Sequence, residues 1–224
     1  MNLLARAMGR LKRKISALGW RLARSMPWLQ PLYETRRTQT PITVRMWFWQ
    51  NVLRINKGVY WPVHFSSTVI GSRNIYCGIE TCPGYMPGCY IQGIGKIYIG
   101  DYTQIAANVG IISANHDPYD NRRHLPSEVH IGQYCWIGMN AVILPGVTLG
   151  DFTIVGAGSV VSKSFQEGHC VIGGAPARLI RKLDPAKCVR HRSAYEYNGY
   201  IPHADFEAFR CDNLHVGRLV SPPR

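Results

Sequence analysis

IGDYTQ (99–104), IAANVG (105–110) and IISANH (111–116) run in sixes, and after a gap the phase resumes. IGQYCW (131–136), IGMNAV (137–142), ILPGVT (143–148), LGDFTI (149–154), VGAGSV (155–160) and VSKSFQ (161–166) follow. All nine hexads open on Ile, Leu or Val. Six carry Ala or Gly in the second place: Gly100, Ala106, Gly132, Gly138, Gly150 and Gly156. The fifth place holds small or β-branched residues in most: Thr103, Val109, Cys135, Ala141, Val147, Thr153 and Ser159. A period of six is too short for helical-hairpin repeats and suits a β-solenoid.

Six residues supply one short strand and a turn, with side chains alternating inward and outward. First and fifth places point to one narrow interior, a large aliphatic beside a small residue. Glycine in the second place tolerates a positive φ or a close backbone approach at a corner. Three sides close one triangular coil, and stacked coils bury the face that each leaves open. A helix is excluded by the glycines. The expected fold is an all-β solenoid, a parallel β-helix.

Outward from the repeat, the charge is uneven. The net +13 would ordinarily point to nucleic acid or an anionic surface. Residues 1–57 hold 12 Lys and Arg against one acid, Glu34, whereas residues 58–175 hold 5 against 7. The repeat is slightly acidic and the basicity sits on the flanks, so no nucleic-acid partner is expected. Seven cysteines without a CxxC pair read as free thiols of a cytoplasmic protein. No signal peptide or apolar span of about 18 residues is visible.

Residues 1–24 read as an amphipathic helix, with Leu4, Met8, Leu11, Ile15, Leu18 and Leu22 on one face and arginines on another flank. Such a helix lies on anionic lipid, or docks on its own solenoid or on a neighbouring subunit. The aromatic residues Trp47, Phe48, Trp49, Tyr60 and Trp61 are expected to cap the open end of the coil; a sugar-binding platform is the alternative. Residues 117–130 loop out between hexads, and solenoids place such insertions on the binding face. Residues 167–183 read as a Gly/Pro turn leading into a short basic helix. The expected organisation is therefore an extension (1–59), a β-helix domain (60–183) and a tail (184–224) with no readable role.

ANHD at 114–117 before an extruded loop, WIGMNAVILPGVTLGDFTIVGAGSVV at 136–161 and GGAPARLIRKL at 173–183 together carry a resemblance. Over about residues 60–183 the chain resembles the hexapeptide-repeat acyltransferases, most of all the O-acetyltransferases of bacterial surface polysaccharides. The resemblance implies a left-handed β-helix, against the usual right-handed crossover rule. It also implies a homotrimer, acetyl-CoA as co-substrate with no metal, and as acceptor a surface polysaccharide or its lipid-linked precursor, with a small free sugar, amino sugar or antibiotic as the alternative.

Acetyl transfer to a hydroxyl needs a base, and a neutral imidazole suits that task near neutral pH. His116 closes a hexad at the mouth of the loop and matches the family's catalytic histidine. Asn115, Asp117 and Glu128 are candidates to orient its other ring nitrogen, and a backbone carbonyl would serve equally well. For coenzyme A, the resemblance implies a groove between two β-helices, with Ala157, Ser162, Lys163 and Arg181 as contacts and Trp136 alongside. Met139 stands where relatives often carry a small hydroxyl residue. Two other readings stay open here: a metal-dependent hydratase using His116, His124 and His130, and a non-catalytic trimeric scaffold.

Overall fold

The first places of all nine hexads are buried, from Ile99 to Val161, and so are the fifth-place residues Thr103, Val109, Cys135, Ala141, Val147, Thr153 and Ser159. A computed structural model describes residues 29–218. The expected helix over residues 1–24 lies outside them. Strands of two to four residues stack into three parallel sheets, one per side of a triangular coil. The first holds Ile75–Cys77, Ile97–Ile99, Val129–Ile131 and Thr148–Leu149. Gln104–Ile105, Trp136–Ile137, Thr153–Val155 and Cys170–Gly173 make the second. The third runs Thr68–Ile70, Tyr90–Gln92, Gly110–Ile112, Val142–Ile143 and Val160–Val161.

Register follows the repeat. Ile99 pairs Ile131, which pairs Leu149; Ile105 pairs Ile137, which pairs Val155; Ile111 pairs Ile143, which pairs Val161. Each rung places the same hexad position above itself, so every buried aliphatic contributes roughly 1.5–3 kcal/mol. No short element here could hold its shape alone; the stack holds it.

The corners explain the remaining places. Positive φ falls on the fourth place in seven hexads: Tyr102, Asn108, Tyr134, Asn140, Gly146, Phe152 and Gly158. The second-place glycines answer a different need. A Cβ on Gly132 would lie 2.5 Å from the Asp151 nitrogen of the next coil, and one on Gly138 2.7 Å from that of Ala157. Third-place carboxylates close the turns: Asp101 Oδ1 accepts from the Ile79 N–H at 2.8 Å, and Asp151 Oδ1 from that of Gln133 at 2.9 Å.

Three expectations are corrected. Arg178–Lys182 is a strand, antiparallel to Cys170–Gly173, where a short helix was expected. The chain reverses over residues 174–177, and the open edge of the second sheet satisfies the backbone of 178–182. The C-terminal helix lies later, at His203–Asn213. The excursion after Ile111 is a hairpin of Ala114–His116 with His124–Pro126, and the coil resumes at Val129, before residue 131.

The aromatic residues divide. Trp61 is fully buried and its indole N–H donates to the Pro83 carbonyl at 2.7 Å, closing the first coil with Tyr60. Trp47 and Phe48 stay exposed on the helix Val44–Asn51. The tail runs back along the coil. Fourth-place rings Tyr102, Tyr134 and Phe152 stack at 5.2 and 5.0 Å, and Arg190 lies over the latter two while bonding Asp151. Asn198 then donates to the Cys77 carbonyl, and Phe206 and Phe209 pack on Tyr60.

Candidate active site

His116 ends the outgoing strand of the hairpin. The start of that strand is held by Gln92: the Ser113 hydroxyl donates to its carbonyl at 2.6 Å, and the Ala114 N–H donates to Oε1 at 3.1 Å. Where the hairpin returns, Ser127 and Ser113 carbonyls pass over Gly95 so closely that no Cβ would fit there. A rigid coil corner therefore carries an exposed imidazole.

His116 Nδ1 lies 2.6 Å from the carbonyl oxygen of Asn121. A carbonyl only accepts, so Nδ1 carries a proton, and in the neutral ring it is Nε2 that presents the lone pair. Among the described residues Nε2 has no hydrogen-bond partner. Across the hairpin His116 is in register with His124, ring centroids 4.5 Å apart.

The three candidate orienting side chains are engaged elsewhere or turned away. Asp117 Oδ1 accepts from the Tyr119 N–H at 2.9 Å, and Oδ2 faces Arg123 at 3.6 Å. Glu128 bonds His130 at 3.0 Å and faces Lys96 at 3.8 Å. Asn115 is exposed and in register with Leu125. The main-chain carbonyl of Asn121, reached only through the hairpin's turn, was not singled out by the sequence; residue type cannot mark a carbonyl.

The residues matched to coenzyme A contacts fall on two edges. Trp136, on the outer face of the second sheet, pairs with Ile154, and that sheet continues through Val171 to Arg181. Met139 and Ala157 occupy successive levels of the corner that follows, where the Gly158 N–H donates to the Met139 carbonyl at 2.8 Å. Ser162 and Lys163 lie at the next corner, after the third sheet, the corner from which the hairpin emerges. All six are exposed. Two clefts open elsewhere, one of about 380 Å³ by Phe165 and Leu179 and one of about 360 Å³ by Tyr102 and Trp136; neither includes His116.

Five of the seven cysteines are withdrawn. Cys77, Cys82, Cys89, Cys135 and Cys170 are buried, and burial pushes the thiols of Cys82 and Cys135 up to about 12. His130 stacks on Tyr98 at 4.7 Å, apart from the His116–His124 pair. Among the described residues, no group of three or more His, Cys, Asp or Glu side chains is placed to hold a metal ion.

Residues 128–163 match the family model described as bacterial transferase hexapeptide, six repeats. That stretch of the coil is thus similar to the repeats of bacterial hexapeptide transferases. Its three stacked parallel sheets make the coil a parallel β-helix. The chain is 39% identical over 108 residues to the putative lipopolysaccharide biosynthesis O-acetyl transferase WbbJ of Escherichia coli (strain K12), covering 42% of this chain and 55% of that one. It is 33% identical over 129 residues to the galactoside O-acetyltransferase of the same strain, covering 55% and 59%. The chain thus spans little more than half the length of these relatives. A maltose O-acetyltransferase from Clostridium difficile 630 superposes with TM-score 0.46 at 34% identity, covering 53% of this chain and 65% of the other.

Proposed function

We propose that this protein is a hexapeptide-repeat transferase, and specifically an acetyl-CoA-dependent O-acetyltransferase acting on a sugar hydroxyl of a surface polysaccharide or its lipid-linked precursor. One observation carries the reading: the His116 imidazole, with Nδ1 donating to Asn121, offers an unpartnered Nε2 at an exposed hairpin. In the proposed reaction Nε2 takes the proton of the acceptor hydroxyl as its oxygen attacks the thioester carbonyl. The Nδ1–H to carbonyl bond keeps the ring in the required tautomer and supports the imidazolium that forms. As the carbon–sulfur bond breaks, the imidazolium returns the proton to the departing thiolate.

Transfer is direct, in a ternary complex. The buried cysteines lie too far inside to form an acyl intermediate, and their raised thiols resist ionisation. The two edges that carry Trp136, Met139, Ala157 and Arg181 on one side and Ser162 and Lys163 on the other fit a coenzyme A groove completed by a neighbouring copy, as in a homotrimer. Lys163 and Arg181 would hold phosphates.

The polysaccharide acceptor is favoured by the similarity to the lipopolysaccharide relative, and a small free sugar by that to the galactoside relative. Thiol release from acetyl-CoA over a panel of lipid-linked saccharides, polysaccharides and free sugars separates them. Release that depends on a polymeric or lipid-linked acceptor supports the proposal. Release with free sugars alone moves the acceptor to the second reading. No release with any acceptor, and no coenzyme A binding, contradicts acetyl transfer.

A further inference from the structure

The helix Val44–Asn51 is amphipathic in the opposite sense to an ordinary surface helix. Its inner side is pinned by a polar residue. Gln50 is buried, its Nε2 donating to the Trp61 carbonyl at 2.9 Å and its Oε1 accepting from the Val63 N–H at 2.9 Å and the Tyr200 hydroxyl at 2.7 Å. Its outer side is apolar. Val44 is 64% exposed, Trp47 46% and Phe48 45%, and the chain continues with Val52 at 50% and Leu53 at 47%. Asn51, the polar residue among them, turns its amide back to the Trp47 carbonyl at 3.0 Å. Phe65, against Trp49 at 5.1 Å, extends the patch.

The surroundings are uniformly basic. Residues 35–79 contain six Lys and Arg and not one carboxylate. Arg45, Arg54 and Lys57 are exposed around the patch, and none forms an ion pair among the described residues. An outward row of Trp, Phe and Val with cations at its rim has the composition of an interfacial helix. A second copy meeting this patch with its own, as across a two-fold axis, would bring the same unneutralised positive charges face to face, whereas an anionic headgroup layer neutralises them.

We propose that the outer face of residues 44–53 docks this protein on the surface of an anionic lipid bilayer, with Val44, Trp47, Phe48, Val52 and Leu53 entering the headgroup boundary and Arg45, Arg54 and Lys57 pairing with lipid phosphates. This surface is distinct from the hairpin site and stands whether or not the chain transfers acetyl groups. It also differs from the N-terminal segment 1–24.

Sedimentation of the full chain with phosphatidylcholine vesicles, with and without phosphatidylglycerol, tests it. The proposal expects binding to the anionic vesicles that weakens with salt. Trp47→Ser with Phe48→Ser, both solvent-facing, is expected to weaken that binding about tenfold or more, with an unchanged melting temperature. Arg45→Gln, Arg54→Gln and Lys57→Gln together are expected to remove the preference for phosphatidylglycerol. Absence of vesicle binding overturns the proposal. So does equal binding by the Trp47/Phe48 variant, whether that variant instead loses oligomer mass in sedimentation velocity, making a second copy the occupant, or melts lower, making another part of the chain the occupant.

Discussion

The Nδ1 atom of His116 and the carbonyl oxygen of Asn121 lie 2.6 Å apart, closing a loop over residues 116–121 at the tip of the hairpin. The group that fixes the imidazole is main chain, so no side-chain replacement at residue 121 deletes it. The hairpin's own shape holds the ring.

That shape depends on His124, which packs its ring on His116 at 4.5 Å. His124→Ala is expected to lower kcat about two- to tenfold, the worth of one aromatic pair, with the KM for acetyl-CoA unchanged. His124→Phe, which retains a ring face, is expected to restore most of the loss. Steady-state kinetics on the three proteins checks this; equal kcat for all three would show that the contact does not hold His116 in place.

Much of this was legible in the hexads and some was not. The places that point inward could be read because burial selects aliphatic and small residues: all nine first places and seven of the nine fifth places are buried, Asn115 and Phe165 being the exceptions. The corner function of the fourth place was missed, since Tyr102, Asn108, Gly146 and Phe152 share no chemical property; what they share is a left-handed φ. The Tyr102–Tyr134–Phe152 ladder follows once that place is known to stack. Its cover by Arg190 could not be foreseen, because the tail has no repeat to give it register. Likewise the strand Arg178–Lys182 looks helical in sequence and is set instead by the free sheet edge beside it. At the site, ANHD pointed to the imidazole but not to its acceptor, which is a carbonyl.

Glycines should separate by position. Gly138→Ala sets a Cβ 2.7 Å from backbone atoms of the next coil and is expected to destabilise by about 1–3 kcal/mol. Gly110→Ala meets only Val142 methyl groups at 3.6 Å, with ordinary φ, and is expected to be neutral or stabilising by about 0.4–1 kcal/mol. Urea unfolding of both variants is the check.

Thiol chemistry should divide in the same way. Cys188 and Cys211 are accessible, while the other five are buried and, as with Cys82 and Cys135, hard to ionise. Titration with a disulfide reagent at about pH 8 is expected to find two reactive thiols in the native protein and all seven after unfolding.

The tail helix carries an acid-sensitive contact. Glu207 bonds Arg210 at 2.9 Å and Arg218 at 3.0 Å, and these guanidinium groups, Arg210 first, lower its carboxyl from 4.5 to about 2. A depressed folded value means that the stabilisation is present above about 4.5 and is lost as pH falls through about 2. The melting-temperature difference between the natural protein and Glu207→Gln is therefore expected at neutral pH and should vanish toward pH 2.

The central claim is that His116 is the base for transfer from acetyl-CoA. Its most direct test is kcat for His116→Ala, measured beside coenzyme A affinity by calorimetry. The account predicts a fall in kcat of about 10²–10⁴-fold with coenzyme A affinity unchanged. Retained turnover, or turnover lost together with coenzyme A binding, would contradict it.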